Sequence, residues 1–131
     1  MISTKPTIYL IDALNFIRSF LQIPQQEEEK TLRALIAALN DAATEDFKGT
    51  TFRLIIDGGF RNIGPTSPEN VDALFSEDQT ADEVILEQAL YLKNSSQRVC
   101  VVTYDRGITN SLREEGIKIL SCKKFFDTFL S

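Results

Sequence analysis

Three apolar runs in this chain each stop on an aspartate: "IYLID" at Asp12, "RLIID" at Asp57 and "VCVVTYD" at Asp105. A fourth acid, Asp82, stands in "TADEVILEQA" two residues after a threonine that can open a helix. If the apolar runs are strands of one parallel sheet, their carboxyl ends share an edge, and ligands of open α/β sheets bind along that edge. The helix carrying Asp82 must also begin there. Four carboxylates in one cleft repel one another and require a counter-charge. Mg²⁺ or Mn²⁺, hard cations that take oxygen ligands, would supply it. A metal so held turns water into a nucleophile and neutralises charge on a phosphodiester under in-line attack. Asn15, three residues after Asp12, adds a neutral amide able to orient a water or a phosphate oxygen.

Each of these residues also has a structural reading. Asp12 and Asp105 suit helix N-caps, Asp82 suits the positive end of a helix dipole, and Asp57, before Gly58 and Gly59, suits a turn, as Asn15 does. Thr80 and Glu83 have capping-box spacing, so Glu83 is read as structural. The acidic run "EEEK" at Glu27 to Lys30 reads as a solvated, dipole-matched helix start. Arg61, Arg106 and Lys123 either contact phosphate or lie in solvent as single surface charges. The paired glycines match no phosphate-binding fingerprint, which needs more widely spaced glycines opening a helix.

The elements that must position these groups alternate along the chain. Thr7 to Asp12 reads as a central strand, apolar on both faces. "NFIRSFL" follows as a short helix with Phe16, Phe20 and Leu21 on one side. From Glu27 to about Glu45, Leu32, Leu35, Ile36, Leu39 and Ala43 recur at intervals of three and four, which predicts a helix packed on a sheet. Thr51 to Gly59 is a second strand, "FRNIGPTSPEN" a loop, and "VDALFS" a short strand that also fits a helical turn. A helix from Thr80, a strand from Arg98 to Asp105, a helix stopped by Gly116, the strand "IKILS" and a terminal helix with Phe125, Phe126, Phe129 and Leu130 on the core complete the order. The alternation predicts a three-layer α/β/α sandwich with a mainly parallel sheet.

Composition narrows the chemistry. The chain has 131 residues, 43% hydrophobic and 25% charged, as expected of one globular domain over residues 1–131. No run approaches the roughly 20 apolar residues of a membrane span, and Met1 to Pro6 lacks the apolar core of a signal peptide, so the expectation is a cytoplasmic protein with no membrane partner. There is no histidine, which excludes Ser-His and Cys-His mechanisms and His-coordinated zinc. Two cysteines are too few for a disulfide framework, and Cys100, inside "VCVVT", reads as a small buried hydrophobe. A net charge of −5 argues against nonspecific affinity for nucleic acid, which comes from lysine and arginine neutralising phosphates.

"IYLIDALNFI", "LIIDGG", "TADEVILEQA" and "VVTYDRGITNSLREEGIKILS" together resemble the NYN domain, in particular the bacterial YacP-like branch of the PIN-like ribonucleases. The resemblance runs from about Thr7 to Leu130. It implies a Rossmann-like PIN fold and metal-dependent endonucleolytic cleavage of RNA. Position by position it implies metal-binding roles for Asp12, Asp82 and Asp105, with Asn15 and Asp57 supporting or sharing the catalytic site. The chain departs from the family at Tyr104, where relatives often carry a small serine; a tyrosine there narrows the cleft or offers a stacking surface. It departs also at Glu83, where many relatives have a second aspartate. Arg61, Tyr104 and Arg106 are the candidate substrate contacts.

The leading expectation is a metal-dependent endoribonuclease, its RNA either free or presented by a ribonucleoprotein, acting alone or as a homo-oligomer. The alternative is a noncatalytic PIN-like module that binds RNA or a protein, since a fold can outlive its chemistry. A haloacid-dehalogenase-type phosphohydrolase is rejected because the position two after Asp12 is Leu14 rather than an acid. A dinucleotide-binding enzyme is rejected because "DALN" replaces the glycine-rich turn.

Overall fold

The chain places its most apolar strand at the centre of a five-stranded, all-parallel sheet of order β3-β2-β1-β4-β5. A computed structural model describes residues 6–67 and 69–131. Most of the leader reading at the amino terminus, and Pro68 in the long loop, lie outside the described residues. The strands are β1 (Thr7–Asp12), β2 (Thr51–Ile56), β3 (Val71–Phe75), β4 (Arg98–Val102) and β5 (Lys118–Leu120). The helices are α1 (Ala13–Asn15), α2 (Glu28–Thr44), α3 (Ala81–Asn94), α4 (Arg106–Glu114) and α5 (Cys122–Phe129).

Alternation along the strands divides the core in two, as a pleat with period two requires. Ile11, Phe52, Leu54, Ile56 and Val102 face α2 and α5 on one side, whereas Leu10, Ile55 and Val101 face α3 and α4 on the other. Full burial of each such side chain contributes about 1.5–3 kcal/mol, so the doubly covered sheet explains why β1 and β2 read as continuous apolar runs. Phe125 packs edge-on against Phe16 and Phe52, which makes the phenylalanine stripe of α5 part of the first layer. Burial pushes the Cys100 thiol up to about 11 and the Cys122 thiol up to about 12, as inert core groups.

Local signals in the sequence set the ends of the helices. Thr80 and Glu83 form a reciprocal capping box at α3. Replacing Thr80 with Ala is expected to lower stability by about 1 kcal/mol, measured by urea denaturation; an unchanged midpoint would show that the box adds nothing. Gly116 (φ +72°) ends α4. Its N–H donates to the Arg113 carbonyl while Ile117 N–H donates to that of Leu112, the pairing of a Schellman motif that a left-handed glycine permits.

Three elements differ from the sequence reading. The helix after β1 is wound over Phe16–Phe20 as a π-helical turn, with Leu21 N–H donating to the Phe16 carbonyl at 2.9 Å. Phe16 and Ile17 are thereby buried while Arg18 and Ser19 face outward. Strand β4 ends at Val102, so Thr103, Tyr104 and Asp105 form the turn into α4. The acidic start of α2 is not uniformly solvated: Glu28 is only 1% exposed, because Arg18 and Arg61 converge on it from distant parts of the chain.

Candidate active site

The strand order reverses between β1 and β4, since the chain moves outward through β2 and β3 and then returns to the other side of β1. In open α/β sheets the crevice at such a switch point receives the ligand. Ile11 pairs in register with Val102, which sets the next residues, Asp12 and Thr103, side by side. The Thr103 hydroxyl donates to Asp12 Oδ2 at 3.4 Å, and both residues are buried, each 5% exposed. Asp12 stands at the N-cap of α1 without a well-formed capping hydrogen bond; the Asn15 backbone amide gives it only partial support, which does not offset the burial of its carboxyl.

Around Asp12 lies a cleft of about 350 Å³ lined by Asn15, Arg18, Ser19, Asp57, Thr80 and Asp82 among others. Burial pushes the Asp12 carboxyl up to about 7, reinforced by the charges of Asp82 and then Asp105, with the Asn15 backbone amide and the Thr103 hydroxyl pulling the other way. Asp82 is raised to about 6, first by burial and then by its hydrogen bond to Asp105 and the charges of Asp105 and Asp57. Asp12, Asp82 and Asp105 thus lie within electrostatic reach of one another. Among the described residues, no group of three or more carboxyl or thiol side chains is drawn together into a metal-holding cluster. The donor chemistry nonetheless suits a hard divalent cation, because oxygen acids whose proton affinity is raised first by burial and then by neighbouring negative charge are the groups such a cation relieves.

The remaining predicted residues take distinct places. Asn15 Oδ1 accepts the Tyr104 N–H at 2.7 Å, which ties the β4–α4 turn to β1 and leaves the amide NH₂ as the donor. Asp57 is exposed; its Oδ1 accepts the Ala81 N–H at 3.0 Å and the Ser76 hydroxyl at 3.4 Å, which fastens the start of α3 to the end of β2. Asp105 caps α4 through Gly107 N–H at 2.8 Å. Tyr104 is 56% exposed, with its ring 6.2 Å from that of Phe20. Arg106 is exposed and lines a neighbouring cleft with Thr103 and Ser121. Arg61 is engaged with Glu28 at 3.1 Å and does not line the Asp12 cleft.

Sequence reasoning missed Arg18, Ser19, Glu28 and Thr103. Thr103 was findable, since it follows the last apolar residue of β4. Arg18 and Glu28 carried no local signal.

An all-parallel five-stranded sheet of this order with helices on both faces defines a PIN-like α/β domain. The sequence profile of the YacP-like NYN domain matches residues 9–130, and the chain belongs to that family, a family of PIN-like ribonucleases. No curated protein sequence matches it. Among solved structures it is similar to Rae1 (YacP) from Bacillus subtilis, with a TM-score of 0.74 and 21% identity over 93% of this chain and 72% of that one. It is likewise similar to a tryptophan-to-leucine mutant of that protein, with a TM-score of 0.73 and 22% identity over 94% of this chain and 74% of the other. At that identity the likeness establishes the fold. Among the described residues no helix is long and apolar enough to cross a membrane.

Proposed function

We propose that this chain, as a single domain over residues 1–131, is a metal-dependent endoribonuclease that hydrolyses RNA phosphodiester bonds at the carboxyl edge of its sheet. The observation that carries this reading is Asp12, a buried acid at the switch point whose proton affinity is raised by burial and by Asp82 and Asp105. Asp12, Asp82 and Asp105 would hold Mg²⁺ or Mn²⁺, which when bound supplies positive charge against the phosphate and acidifies the attacking water.

The chain's own groups do the positioning. Thr103 fixes the rotamer of Asp12 through its hydroxyl. Asp57 sets where Asp82 stands by holding the first turn of α3. Asn15, pinned by Tyr104 N–H, lines the cleft and keeps its amide NH₂ available to donate to a phosphate oxygen. The exposed ring of Tyr104 offers a stacking surface to a base, as single-strand binders use, and Arg106 adds positive charge in the neighbouring cleft, while Arg61 is committed to Glu28. With a net charge of −5 the long-range field weakens the hold on free RNA without abolishing it at low salt, and presentation by a ribonucleoprotein would strengthen it.

The test is incubation of the purified protein with a mixed RNA substrate in Mn²⁺, in Mg²⁺ and in EDTA. Cleavage in either metal that EDTA abolishes is the expected result. Absence of cleavage in every condition, together with no Mn²⁺ binding by calorimetry, would replace this reading with the noncatalytic module.

A further inference from the structure

Arg18 lines the same cleft as Asp12, Asp57 and Asp82, yet it is a cation among acids. Its Nε and Nη2 both donate to the Glu28 carboxylate, a fork-to-fork pair that fixes the plane of the guanidinium. A guanidinium has five N–H donors, so Nη1 stays uncommitted. The side chain keeps 47% of its surface exposed, against 1% for Glu28. Arg61 Nη1 donates to Glu28 Oε1 at 3.1 Å. One buried carboxylate therefore serves two guanidiniums, and the triad carries a net charge of +1 where a simple pair would carry none. The charge of Asp57 also acts on Arg18, as its place at the cleft requires.

We propose that Arg18 binds a backbone phosphate of the RNA at the entrance of the cleft, and that Glu28 positions it. This inference rests on the nuclease reading for its substrate class. A polyanion approaching four carboxylates needs a fixed cation at the entrance, and a guanidinium already locked in plane loses little conformational entropy on meeting a phosphate. Arg61 matters because it neutralises Glu28, so that the charge of Arg18 is not cancelled by its own support.

The experiment measures anisotropy of a labelled single-stranded RNA over a salt series, in an Asp12→Asn background so that the probe survives. Arg18→Ala is expected to weaken binding about tenfold and to lower the slope of log K against log salt by about one ion. Arg18→Lys, which keeps the charge and loses the fork, is expected to fall between. Lys48→Ala, an equal charge change in the turn before β2, at the amino ends of the strands and opposite the cleft, is expected to stay within about twofold.

Glu28→Gln is expected to weaken binding when Arg18 is present and to add nothing once Arg18 is Ala, the signature of action through Arg18. Thermal melting of each variant checks the fold, and Arg18→Ala and Arg18→Lys decide the matter should Glu28→Gln not fold. Unchanged binding and slope in Arg18→Ala, equal losses from Glu28→Gln with and without Arg18, or no RNA binding by the parent at the lowest salt would each overturn the inference. Failure of the nuclease reading looks different: no cleavage by the wild type in any metal, whatever the binding series shows.

Discussion

Asp12→Asn is expected to abolish RNA cleavage, by about 10³-fold or more, while the protein keeps its fold and gains stability near neutral pH. The two halves have one cause. The carboxylate is buried at the switch point beside Asp82 and Asp105, an arrangement that disfavours its charge in the absence of a cation. Asparagine has the same shape and can still accept from the Thr103 hydroxyl, but carries no charge to be desolvated. On the nuclease reading, that cost to stability follows from the metal-holding role proposed for Asp12. Cleavage by the variant at the wild-type rate, measured with Mn²⁺ on the same RNA, would remove Asp12 from the mechanism. Loss of both activity and the folded circular-dichroism spectrum would instead make it a structural acid.

The second large effect is on stability against pH in metal-free protein. Asp12 moves from 3.8 to about 7 on folding and Asp82 from 3.8 to about 6. Between those limits the folded protein binds protons that the unfolded chain has lost, so stability is fully present below about pH 4 and falls as pH rises to about 7. For Asp12 the loss is roughly 4 kcal/mol over the full window. Asp82 acts in the same direction but is more solvated, and screening reduces its share. Glu28 runs the other way: its pKa is held down by the hydrogen bond from Arg18 and then by Arg61, so its contribution is lost as pH falls.

The difference between wild type and Asp12→Asn isolates the Asp12 contribution. In urea denaturation with EDTA, that difference is expected to be small at about pH 4 and to reach its full value near pH 7.5. Mn²⁺ is expected to stabilise the wild type more near pH 7.5 than near pH 5 and to release protons on binding, because it displaces the protons these acids hold. A difference independent of pH would mean that Asp12 is not perturbed in this way.

Much of this protein was determined by its sequence alone, for a local reason. The alternation of elements, the doubly apolar β1, the capping box at Thr80 and Glu83 and the stop at Gly116 all depend on residues within a few positions of each other. The placement of the acids of the candidate site was legible in the same way: parallel strands with right-handed crossovers bring their carboxyl ends to one edge, so a run ending in Asp12 or Asp57 declares at which edge that residue will stand.

Other features waited on partners far along the chain. "VDALF" fits a strand or a helical turn, and only pairing with β2 at the sheet edge made Val71–Phe75 a strand. Asn15 became a tether because Tyr104, 89 residues away, offers its N–H, and Thr103 met Asp12 because β4 returned beside β1. Glu28 stood in an acidic run indistinguishable from a solvated helix start. Only the approach of Arg18 from 10 residues before and Arg61 from 33 residues after made its burial tolerable, since a charge leaves water only where opposite charges and donors already wait for it.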